Sequence, residues 1–69
     1  MEDTLRAIWK DVLGLEKLPA TDESFFDLGG NSFLAARVIS ELEEQVGKKA
    51  EIADFYENET IDSLIKVIA

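Results

Sequence analysis

The stretch Phe25-Phe26-Asp27-Leu28-Gly29-Gly30-Asn31-Ser32-Phe33-Leu34 is where the chain changes character. From Gly14 up to it there is no sustained hydrophobic period; beyond it, apolar residues recur with the spacing of a helix. Paired glycines permit backbone angles and close approaches that side chains would block, so the chain can turn sharply into that helix. Ser32 then stands at the helix entrance. A hydroxyl there has two readings: an N-cap that accepts from a backbone N–H, or an exposed group that another molecule modifies. Asn31 is an equally good cap. A covalently attached phosphate suits the position electrostatically, because unpaired N–H groups and the positive end of the helix dipole both favour an anion.

Working outward, Ala35, Val38, Ile39, Leu42 and Val46 form an apolar stripe with Leu34 on its flank, which predicts a helix from Ser32 to Val46 ended by Gly47. Its other side carries Phe33, Arg37, Ser40, Glu41 and Glu44, polar except at the first member. Phe33 either folds back onto Phe25 or Tyr56, or stands exposed beside Ser32 as an anchor for a partner. Toward the N-terminus, Leu5, Ile8, Trp9, Val12 and Leu13 predict a helix from about Asp3 to Leu13, with Gly14 as its left-handed cap. Between the two helices lies a long loop with Leu15, Leu18, Phe25, Phe26 and Leu28 as anchors; in so small a domain such a loop is expected to be both functional and packed down by its own side chains. Ile52, Phe55 and Tyr56 share one face of a short helix. Thr60 caps a last helix, whose stripe is Ile61, Leu64, Ile65 and Ile68 and which runs to about Val67. No β alternation appears. The expected fold is all-α: one domain over residues 1–69, a small bundle of three main helices plus one short helix, packed around Trp9, Phe26, Leu42 and Leu64.

Composition narrows the chemistry. The chain of 69 residues has a formal charge of −8 and contains neither Cys nor His. That removes disulfides, thiolate nucleophiles, Ser-His-Asp and Cys-His pairs, and zinc sites built on sulfur or imidazole. Isolated carboxylates without a base, ligand set or phosphate loop leave no reaction to propose, so no catalytic residue and no metal site are expected. The acidity disfavours nucleic acid and anionic lipid, and no basic cluster exceeds Lys48-Lys49. Leu28 to Ala36 is the longest uncharged run, far short of a membrane span, and Met1-Glu2-Asp3 does not open like a secretory signal. A cytoplasmic monomer is the expectation.

Phe26-x-Leu28-Gly29-Gly30-x-Ser32-Phe33-Leu34-Ala35, ahead of an amphipathic helix and followed by Phe55-Tyr56-Glu57-Asn58-x-Thr60-Ile61-x-x-Leu64, resembles the peptidyl carrier (thiolation) domains of nonribosomal peptide synthetases, which belong to the acyl-carrier-like four-helix bundles. The resemblance covers essentially the whole chain. It implies that a phosphopantetheinyl transferase moves 4′-phosphopantetheine from coenzyme A to the hydroxyl of Ser32. The arm's thiol would then be loaded by an adenylating enzyme or domain and presented to condensation, thioesterase or tailoring enzymes. Asn31, Phe33, Leu34 and Arg37, at the start of the second helix, would meet those partners. Three positions depart from the family pattern: Asn31 stands where His or Asp is usual, Phe33 where an aliphatic residue is common, and Glu59 where Pro is frequent. Two other readings compete. An acyl carrier of fatty-acid or polyketide synthesis has the same arm but other cargo, and a noncovalent helical interaction module would use Ser32 only as a cap and Phe33 as an anchor.

Overall fold

The computed structural model describes residues 1–68, which contain four α-helices: α1 (Glu2–Leu13), α2 (Ser32–Val46), α3 (Ile52–Glu57) and α4 (Ile61–Ile68). The described residues contain no strand. In α1 the i, i+3, i+4, i+7 set Leu5, Ile8, Trp9 and Val12 is buried, while Glu2 and Asp3 in the first turn and Lys10 in the last complement the helix dipole. α2 lays Ala35, Val38 and Leu42 against the core and makes its most extensive helix contact with α1. Val46 differs from expectation: it lies in the last turn of α2, past the edge of the core, and is exposed.

The two short helices are defined mainly at their entrances. At α3 the Asp54 carboxylate accepts the backbone N–H of Glu51 at 2.9 Å, closing the first turn. At α4 the Thr60 hydroxyl accepts the N–H of Ser63 at 3.2 Å, which makes Thr60 the cap expected from sequence. α4 ends at Ile68, one residue past the expected Val67, and Ile68, the last member of its stripe, is buried.

The centre of the bundle is aromatic. Trp9 from α1, Phe25 from the long loop and Phe55 from α3 are all fully buried, with the Trp9 and Phe25 rings edge to face at 4.9 Å and the Phe25 and Phe55 rings at 5.1 Å. Such edge-to-face pairs add roughly 0.5–1.5 kcal/mol each beyond the area they bury. Trp9, Leu42 and Leu64 occupy the core as expected, but Phe26 does not: its neighbour Phe25 takes that place, and Phe26 lies half-buried on the rim. Adjacent residues in a turn point in different directions, and backbone pairing decides between them. The Phe25 N–H donates to the Glu59 carbonyl at 2.7 Å, which aims the Phe25 ring inward.

That bond is one of several holding the loop down. Asp62 N–H donates to the Thr21 carbonyl at 3.0 Å, the Ser24 hydroxyl to the Glu59 carboxylate at 2.7 Å, and Arg6 Nε to the Pro19 carbonyl at 2.8 Å. The connection between α1 and α2 is thus tied to α1 on one side and to the α3–α4 junction on the other. This fixes the point at which the chain enters α2.

Candidate functional site

The entrance to α2 is built from a wound turn. Leu28 N–H donates to the Ser24 carbonyl, Gly29 N–H to that of Phe26 and Gly30 N–H to that of Phe25, all at 3.0–3.1 Å. Gly29 has φ of 103°, a conformation side chains strongly disfavour. Gly30 is required for a different reason: a Cβ there would run into the Phe25 ring and come within 2.7 Å of the Phe25 carbonyl oxygen. The two glycines therefore let the turn close directly over a buried aromatic ring.

Asn31 follows in extended conformation, and its side-chain oxygen accepts the Leu34 N–H at 2.9 Å. It is Asn31, not Ser32, that caps α2. The Ala35 N–H donates to the Asn31 carbonyl at 2.8 Å, beginning the helical ladder. The N–H groups of Ser32 and Phe33 fall in the first turn, where a helix offers them no acceptor of its own.

Ser32 is exposed, and its hydroxyl is hydrogen-bonded to the phenol of Tyr56 on α3. Tyr56 is in turn stacked on Phe26, with ring centroids 4.8 Å apart and planes at 16°. Phe33 does not fold back: it is 73% exposed, the most open of the large apolar residues described. Arg37, one helical turn further along, is exposed as well, whereas Leu34 is half-buried and packs against the core. Of the residues expected to meet partners, Asn31, Phe33 and Arg37 are exposed, and Leu34 is half-buried at the edge of the core. The sequence pattern places Tyr56 among three apolar-face residues of α3; its contact with Ser32 is an addition. The signal for it is chemical, a hydroxyl at the tip of an aromatic on an otherwise apolar face.

The site is an open surface. A groove of about 300 Å³ lies elsewhere on the loop, lined by Leu15, Leu18, Leu28 and three charged residues, without Ser32 or Tyr56 in its wall. No group of three or more His, Cys, Asp or Glu placed to hold a metal ion occurs among the described residues. No helix of the described chain is long and apolar enough to cross a membrane.

Known proteins resemble the chain in sequence and fold. The profile of the family described as "Phosphopantetheine attachment site" matches residues 3–68. A linear gramicidin synthase of Brevibacillus parabrevis is 45% identical over 62 residues, which are 90% of this chain and 1% of that protein. The chain therefore spans only a small fraction of the length of such relatives. Among solved structures, a "Non Ribosomal PCP domain" superposes with a TM-score of 0.87 at 29% identity, covering 99% of this chain and 86% of that one. A structure of "McyG A-PCP complexed with phenylalanyl-adenylate" superposes with a TM-score of 0.84 at 31% identity, covering 99% of this chain and 10% of that one.

The chain belongs to the phosphopantetheine attachment family, and its class within that family is the peptidyl carrier, or thiolation, domain of nonribosomal peptide synthesis. The group such a domain bears is 4′-phosphopantetheine, attached covalently. The residues at the α2 entrance fit a group joined through a phosphodiester. An exposed hydroxyl freed from capping stands at the N-terminus of a helix of 15 residues, where the dipole and first-turn N–H groups favour negative charge. Ser24 fits less well, since its hydroxyl is engaged by the Glu59 carboxylate, which would oppose a second anion.

Proposed function

We propose that Ser32 is the residue that receives 4′-phosphopantetheine, and that the whole chain serves as one carrier domain for aminoacyl or peptidyl thioesters. The observation that carries this reading is the division of labour at the α2 entrance. Asn31 takes the capping bond, which leaves the Ser32 hydroxyl exposed on an ordered helical turn. In the transfer, Ser32 Oγ forms a bond to the phosphorus nearer the pantetheine of coenzyme A as the pyrophosphate P–O bond breaks. Adenosine 3′,5′-bisphosphate leaves, and the hydroxyl proton passes to a base on the transferase. When bound, the group supplies a flexible arm ending in a thiol on which acyl groups travel as thioesters.

The chain's own residues hold and present; they do not catalyse. The first turn of α2 accommodates the ester's negative charge, and the loop anchored through Phe25 keeps the attachment point at a fixed place on the surface. Phe33, Asn31 and Arg37 offer partners an apolar anchor, an amide and a cation around that point. The partners are a phosphopantetheinyl transferase, an adenylating enzyme or domain, and condensation, thioesterase or tailoring enzymes. Similarity to a solved structure that joins A and PCP supports the adenylating partner. Once the arm is loaded, tethering holds the cargo near the domain's docked partner at an effective concentration on the order of millimolar for a short flexible link, in place of free diffusion of the thioester. The setting is cytoplasmic and the domain acts as a monomer.

The test is the intact mass after incubation with coenzyme A, magnesium and a promiscuous phosphopantetheinyl transferase, with Ser32→Ala in parallel. The parent gains one phosphopantetheinyl unit and the variant none. A folded parent that gains nothing would reduce Ser32 to a surface hydroxyl and favour a noncovalent interaction module.

A further inference from the structure

Tyr56 and Ser32 are 24 positions apart in sequence and lie on different helices, yet their hydroxyls share a hydrogen bond at the surface. Two features make this more than a passing contact. The Tyr56 ring is clamped flat against Phe26, and Phe26 belongs to the same wound turn that delivers Ser32 to its place. The phenol oxygen is therefore located by the turn itself, although Tyr56 is 54% exposed. Second, the Ser32 hydroxyl has no capping role to hold it, because Asn31 occupies the Leu34 N–H. A serine side chain without a partner samples three staggered rotamers. The phenol selects one.

Resting on the assignment of Ser32 as the attachment point, the geometry points to Tyr56 as a positioning residue for the modification. In the unmodified domain its phenol fixes the direction of the Ser32 Oγ. Once the phosphodiester has formed on that oxygen, the same O–H is placed to donate to one of its charged oxygens, a bond to an anion that is stronger than the neutral one it replaces. α3 is thereby joined to the root of the arm through one side chain, and attachment is registered on α3 without a change in the core. The ring places the group and the hydroxyl makes the bond, so phenylalanine would preserve the stack on Phe26 and lose the bond.

Two measurements test this. The chain has a single tyrosine, so a sample labelled with carbon-13 at the tyrosine ζ position gives one resonance. That resonance should move when Ser32→Ala removes the partner hydroxyl in the unmodified domain, and move again when the parent is modified. In transfer kinetics, Tyr56→Phe should lower kcat roughly three- to tenfold, the range one net hydrogen bond accounts for. KM for the carrier should stay within about a factor of two, since docking contacts are untouched. Circular dichroism confirms that the variant is folded. A tyrosine resonance indifferent to both changes, or a Tyr56→Phe domain modified at the parental kcat, overturns the positioning role while the mass gain leaves the carrier assignment standing. A rise in KM at unchanged kcat also overturns it and places Tyr56 in the transferase docking surface instead. A folded parent that takes up no mass removes the assignment of Ser32, and the role of Tyr56 with it.

Discussion

Ser24 and Ser32 stand on either side of one turn, and the fold treats them in opposite ways. Ser24 donates its hydroxyl to the Glu59 carboxylate, and its successor Phe25 is fully buried between Trp9 and Phe55. Ser32 keeps its hydroxyl at the surface, and its successor Phe33 is 73% exposed. The first side locks the loop to the core; the second is an open face carried by that lock. A mobile arm is useful only if its root is placed reproducibly. The contrast shows where this small domain concentrates rigidity and where it leaves groups accessible.

The largest loss is expected from substitution on the buried side. Phe25→Ala removes an aromatic ring from the centre of the bundle and should cost about 3–5 kcal/mol, comparable to the entire stability of a domain this small. Loss of the helical circular dichroism signal at room temperature is the expected result. Retention of a parental melting temperature would mean that Phe25 is not the anchor. Gly30→Ala comes next. Its new methyl must displace the Phe25 ring or carbonyl, at a cost of roughly 1–3 kcal/mol, measurable as a lower urea midpoint. Asn31→Ala should cost about 1 kcal/mol through the lost cap, with the bundle still folded. If Ser32→Ala proved the more destabilising of these two, the capping assignment would be reversed. Smallest in stability is Phe33→Ala, expected within about 0.5 kcal/mol of the parent, because the side chain is already in water. Its effect should appear instead as slower transfer to and from partner enzymes. A large fall in melting temperature would place Phe33 in the core and erase the contrast.

Much of this is legible in the sequence, for reasons that differ from element to element. α2 matches its expected bounds because a long stripe of period 3.6 is framed by strong signals, Asn31 and Ser32 at one end and Gly47 at the other. The same periodicity puts Phe33 on a face with Arg37, Ser40 and Glu44 but leaves open whether its ring folds back onto Phe25 or Tyr56; the structure leaves it exposed. The choice between Phe25 and Phe26 cannot be read there, as both are equally apolar and the turn that separates them has no period. It is settled by the bond from Phe25 N–H to Glu59, a residue distant in sequence. The cap is similarly open. Asn and Ser are near-equivalent caps by type, and the extended backbone at Asn31, which aims its amide oxygen at Leu34 N–H, decides between them. The pairing of Ser32 with Tyr56 depends on how α3 packs beside α2, which local sequence does not encode.

The most direct test of the account is to locate the modification within the protein. Cleavage after Lys17 and Arg37 gives one peptide, residues 18–37, that contains both Ser24 and Ser32. After treatment with coenzyme A and a phosphopantetheinyl transferase, fragmentation of that peptide should place the added group on Ser32 and leave Ser24 unmodified. Finding it on Ser24, or on Thr21, would contradict the division between a locked side and an open side on which the assignment rests.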